Sequence, residues 1–150
     1  MESAHPLLVH FPIALLLVAV GLDLAALAFK RPRLHHIALW NLTLGTLGAG
    51  LAVGTGLRAE GVAKHSFAIW QVMALHKRLG VTTLVLGLMT VGWRLKQRDR
   101  LTVRGRMATL GLSLLMVGTL VWGAHLGGRL VYEFGVGGAF GTTESPASFP

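Results

Sequence analysis

Four long apolar runs, separated by short basic segments, constrain this chain more than any other feature. A helix crosses a hydrocarbon core of about 30 Å with roughly 20 apolar residues. Only helices and closed barrels satisfy their own backbone there. The runs fall at about residues 6–29, 37–57, 72–93 and 107–126 of a 150-residue chain. Hydrophobic residues make up 53% of it and charged residues 13%, against about a quarter charged in soluble domains. The sequence therefore predicts an all-α fold, a four-helix transmembrane bundle over residues 1–134. An irregular tail, 135–150, rich in Gly, Ser, Thr and Pro, follows it. Met1–Leu8 has no basic leader segment, so the first run reads as a retained span. Pro12 removes a backbone donor within it and predicts a bend. The second run holds Gly45, Gly48, Gly50, Gly54 and Gly56. Gly50 and Gly54 form a GxxxG pair of the kind that lets helices approach closely.

The charges orient the bundle. Lys30, Arg31 and Arg33 lie in the first loop, and Arg94, Lys96, Arg98, Arg100, Arg104 and Arg106 around the third. The opposite side carries Arg58, Lys64, Lys77, Arg78 and Arg129, with Glu2, Glu60, Glu133 and Glu144. By the positive-inside rule the two basic loops are cytoplasmic, and both termini are on the non-cytoplasmic side. This reads as a multi-pass protein of a bacterial inner membrane. The net charge of +8 is explained by topology and anionic headgroups, and nucleic-acid binding is not expected. The absence of cysteine excludes thiolate metal sites, iron–sulfur ligation and covalent haem attachment.

Seven histidines are the informative polar residues. His5 and His10 lie at the outer end of the first span, and His65 in or near the second loop. His76 lies at the outer start of the third span, and His125 at the outer end of the fourth. Separate segments thus bring five imidazoles toward one membrane face. Imidazole ligates haem iron, zinc and copper. A b-type haem needs two neutral imidazoles from facing helices, and His10, His76 and His125 stand on three helices at similar expected depth. Zinc through three histidines with Glu60 or Glu133, or copper through histidine with Met73, are further options. Each histidine taken singly reads as an interfacial side chain snorkelling to headgroups, as do His35 and His36 on the basic side.

Asp23 in the first span and Asn41 in the second are expected to lie at related depths and to hydrogen-bond. Arg94 is expected to reach Asp23 as a polar clasp, with a proton path or quinone site as the functional alternative. Trp40, Trp70, Trp93 and Trp122 fall near span ends, as an aromatic belt requires.

His5-Pro-Leu-Leu-Val-His-Phe-Pro-Ile13 resembles the opening of the domain-of-unknown-function 2231 family of small bacterial membrane proteins. Leu126-Gly-Gly-Arg-Leu-Val-Tyr-Glu-Phe-Gly-Val-Gly137 resembles its ending. The resemblance implies a cytochrome b-like four-helix module, with His5, His10, His125 and the Gly127–Gly137 strap as motif residues. His65 and His76 match it less closely.

The expectation is a membrane electron-transfer subunit rather than a stand-alone enzyme. It would bind b-type haem near the outer face through His10, His76 and His125, with His5 and His65 in reserve. A redox partner such as a cytochrome would dock there, within a larger membrane complex. The alternatives are a cofactor-free anchor subunit and a small metal-ion-binding membrane protein.

Overall fold

The computed structural model describes residues 5–60, 67–97 and 102–136. They form four helices: α1 (His5–Ala28), α2 (Pro32–Glu60), α3 (Phe67–Lys96) and α4 (Val103–Tyr132). All four are long and apolar enough to cross a membrane. α1 packs on α2 and α3 on α4 as two hairpins, and α2–α3 and α1–α4 contacts close the ring. Among the described residues the diagonal helices make no close backbone approach.

The helices overrun the apolar runs. α2 begins at Pro32, α3 at Phe67, and α4 continues through Gly127-Gly128 to Tyr132. Hydropathy marks the hydrocarbon, while backbone hydrogen bonding continues into the interface. Pro32 suits the first turn of α2 because its missing N–H lies where the helix has no acceptor. Thr102 caps α4, its Oγ1 accepting from the Gly105 N–H at 3.2 Å. Beyond α4, Gly135 takes the left-handed conformation (φ 64°). The expected tail lies outside the described residues from 137 onward.

Three residues join α1 to α2. Lys30 has φ 52°, and the Arg31 N–H reaches back to the Ala26 carbonyl at 3.0 Å. This is the six-to-one bond of a Schellman cap, with lysine where glycine is favoured. A left-handed non-glycine residue costs about 1–2 kcal/mol.

Small residues set the close approaches. A Cβ on Gly45 would lie 2.8 Å from Leu16 Cδ2, and one on Gly87 2.7 Å from Thr46 Oγ1. Gly48 opposes Phe11 and the buried Pro12. The Gly50–Gly54 pair does not draw another helix of this chain close. Gly54 has nothing within 4 Å of its Cβ direction, and Gly50 only Leu84 Cδ1 at 3.8 Å.

Leu16, Leu42, Met116, Thr90 and Ser113 are fully buried at the centre. Threonines in this dry interior satisfy their own hydroxyls. Thr46 donates to Leu42 O (2.7 Å), Thr90 to Leu86 O (2.7 Å) and Thr109 to Gly105 O (3.1 Å). Thr83 and Thr119 share a hydrogen bond of 2.9 Å between α3 and α4. The outer surface is apolar, with Leu47, Leu51, Leu88, Leu115 and Trp122 all exposed. In water such a surface would aggregate; in a bilayer it is the lipid face.

Candidate functional site

Polar side chains gather toward both ends of the bundle. At the basic end, Asp23 of α1 is only 3% exposed. It lies five residues before the end of α1, about 8 Å inside it. Its Oδ2 accepts from Arg94 Nη2 of α3, and its Oδ1 lies 2.9 Å from His35 Nδ1 of α2. Against an ionised carboxylate, His35 Nδ1–H is the donor. One carboxylate therefore ties three helices together, and its bond to Arg94 spans the α1–α3 diagonal.

The Arg94–Asp23 clasp was expected from sequence, but its third member was not. Asn41 donates instead to Ile37 O of its own helix at 2.9 Å. The packing register explains why. Gly45 meets Leu16 and Gly48 meets Pro12, so Asp23 falls level with residues near 37, and Asn41 lies a turn deeper. His35, read as an interfacial side chain, fills the place instead because α2 begins early enough to make it helical. Two buried polar atoms, Arg94 Nε in this cluster and Ser113 Oγ at the centre of the bundle, have no hydrogen-bond partner among the described residues.

The other end holds His76 and His125. His76 of α3 is half-buried and its Nδ1 lies 2.8 Å from the Gly123 carbonyl of α4. A Cβ on Gly127 would lie 3.0 Å from His76 Cε1. Gly123 and Gly127 thus form the bed on which this ring rests. His125 sits two residues past Gly123, about 200° round the helix, so it faces away from α3. It is exposed, with its ring centroid 5.8 Å from that of Trp122.

His10 is also exposed, on a stripe of α1 with Ala14, Leu17, Gly21 and Leu24. Its depth differs from expectation. Pro12 meets Gly48 and Gly50 meets Leu84, which puts His10 level with Thr83, seven residues or about 10 Å deeper than His76. His5 starts α1, and by the same register its backbone stands nearly level with His76. The His5 side chain and the whole of His65 lie outside the described residues. Among the described residues no three His, Asp or Glu side chains stand together as metal ligands. Glu133 forms an exposed pair with Arg129, its Oε2 2.9 Å from Nη2. That hydrogen bond holds the Glu133 carboxyl below the usual carboxylate range.

A four-helix bundle with a lipid-facing apolar surface and a buried ion cluster defines an integral membrane protein. More narrowly, the chain belongs to the family described as "Predicted membrane protein (DUF2231)", whose model matches residues 2–139. Neither a curated protein nor a solved structure matches it.

Proposed function

We propose that this protein is an electron-transfer subunit of a bacterial inner membrane that holds b-type haem at the histidine end. The basic end is cytoplasmic in this reading, which places the haem and a docking cytochrome on the outer side. The observation that carries it is the pose of His76. Ligating histidines characteristically donate one ring N–H to a carbonyl or carboxylate, fixing the tautomer that offers the other nitrogen to metal. Gly123 O is placed to take the Nδ1 proton, which makes Nε2 the ligating nitrogen.

The pose of His76 supports the reading, and the other positions narrow it. His125 faces away from α3 and His10 lies deeper on the outward face of α1. Neither opposes His76 within one chain. The second imidazole is assigned to His5 or His65, which the sequence puts toward the same membrane face. Bound haem supplies a reversible one-electron couple. The chain's own part is to hold His76 in one rotamer against Gly123 and Gly127 and to set the polarity around it.

The test is an absorption spectrum of the protein purified in mild detergent after haem-replete expression. A Soret band is expected, and His76→Ala abolishes it while the helical circular dichroism persists. No Soret band in the wild type, with no iron by elemental analysis, ends the proposal.

A second reading, a cofactor-free anchor within a larger complex, is favoured by Gly50 and Gly54. Gly50 touches α3 only through Leu84 Cδ1, and Gly54 has no neighbour within 4 Å among the described residues, which leaves α2 open there to a partner's helix. In that case Gly54→Leu dissociates the complex on blue native electrophoresis and leaves the isolated subunit as stable as before. Co-migration unchanged by Gly54→Leu rules this reading out.

A further inference from the structure

We propose that the α1–α2 turn is a binding site for the phosphate headgroup of an anionic phospholipid. The proposal stands apart from the haem reading, because the site lies at the opposite end of the bundle.

The turn forms an open groove of about 700 Å³ lined by Phe29, Arg31, Pro32, Arg33 and Leu34. Three of these lining residues are apolar and two are arginines. Phe29 is 73% exposed, placed where an acyl chain would run. Only three residues separate α1 from α2, so the groove sits where hydrocarbon gives way to headgroups.

Among the described residues the charges here have no counter-charge. Lys30, Arg31 and Arg33 are exposed, and none makes an ion pair among the described residues. Asp23, the acid described at this end, is buried and already bonded to Arg94 and His35. The cations also stand at the wrong end of a helix. α2 begins at Pro32 with no acidic residue in its first turn, and cations near a helix N-terminus are disfavoured by its dipole. Pro32 has no N–H and the Leu34 N–H donates to the Arg31 carbonyl at 3.1 Å, which leaves the Arg33 N–H for an outside acceptor, and an arginine side chain has none to offer. An anion between Arg31 and Arg33 answers both problems, meeting two guanidinium forks and the positive end of α2 together. A lipid phosphate is the anion that also matches the apolar lining of Phe29, Pro32 and Leu34. Basic pockets at this membrane level take anionic headgroups.

The experiment reconstitutes the full chain in nanodiscs of phosphatidylcholine and phosphatidylglycerol in equal parts. It then extracts the protein in mild detergent and counts retained lipids by native mass spectrometry. The wild type should retain phosphatidylglycerol over phosphatidylcholine. R31Q/R33Q should lower its apparent affinity about thirtyfold, the equivalent of about 2 kcal/mol at tenfold per 1.4 kcal/mol. R58Q/R78Q, which removes two exposed charges from the other end, should leave retention unchanged. The basic residues around the third loop preserve the topology of R31Q/R33Q. If that variant does not accumulate as folded protein, the wild type still decides. Equal retention of the two lipids overturns the proposal, as does displacement of the lipid by millimolar inorganic phosphate, which would make the site one for the free anion. Undiminished phosphatidylglycerol binding in folded R31Q/R33Q overturns it as well.

Discussion

Asp23→Ala is expected to destabilise the bundle by about 3–5 kcal/mol, the range for removing one partner of a buried ion pair. The loss exceeds that of a hydrogen bond because of what remains. Arg94 is 8% exposed, and without Asp23 its guanidinium is a buried charge with no counter-ion described near it. His35 loses its acceptor too, but it is half-exposed and can turn to water. His35→Ala should therefore cost only about 1 kcal/mol. Arg94→Leu should resemble Asp23→Ala, stranding the carboxylate instead. The double variant Asp23→Ala/Arg94→Leu should recover much of the loss, because no charge is then left buried. Thermal or denaturant unfolding in detergent, followed by circular dichroism, reads all four. A double variant as unstable as the sum of the two singles would show that the groups act independently and that the clasp is incidental.

Gly45→Val is the second large expected effect. A Cβ at this position lies 2.8 and 2.9 Å from Leu16 Cδ2 and Cγ, and 3.2 Å from Leu15 Cβ. Leu16 is fully buried, so it has no space into which to swing. Overpacking of this kind costs about 1–3 kcal/mol, and the extra methyls of valine place the change at the upper end. It should separate α1 from α2 and weaken the Asp23–His35 contact with them. Gly111→Ala is the opposite case. Nothing lies within 4 Å of its Cβ direction, so the helix propensity of alanine should add about 0.5–1 kcal/mol. Both are measured by the same unfolding curves. A neutral Gly45→Val would mean that the α1–α2 contact is looser than these distances.

The spans and the Asp23–Arg94 clasp could be read from the sequence for one reason: both are departures from a uniform apolar background. A run of leucines has to be a span, and a carboxylate inside it has to find a cation. His35 was harder because it follows Pro32 and Arg33, where hydropathy places a loop. Only the backbone hydrogen bonds reveal that α2 has already begun. The histidines show a second limit. The shared end of the bundle was legible for His76 and His125, but His10 lies deeper, and the direction each ring faces depends on helical phase. Gly123 and Gly127 turn toward α3, and that alone turns His125 away. The glycines followed the same rule. Gly50-x-x-x-Gly54 has the familiar spacing, yet Gly45 and Gly87 carry the tight contacts because they lie on the faces that meet.

The brevity of the α1–α2 connection bears on how the chain enters its membrane. Two spans joined by three residues have no room to insert one at a time as independent units. They are expected to enter as one hairpin, in which His35 follows Asp23 by 12 residues and accompanies it into hydrocarbon. The guanidinium that completes the cluster stands 71 residues beyond Asp23 and comes with the second hairpin.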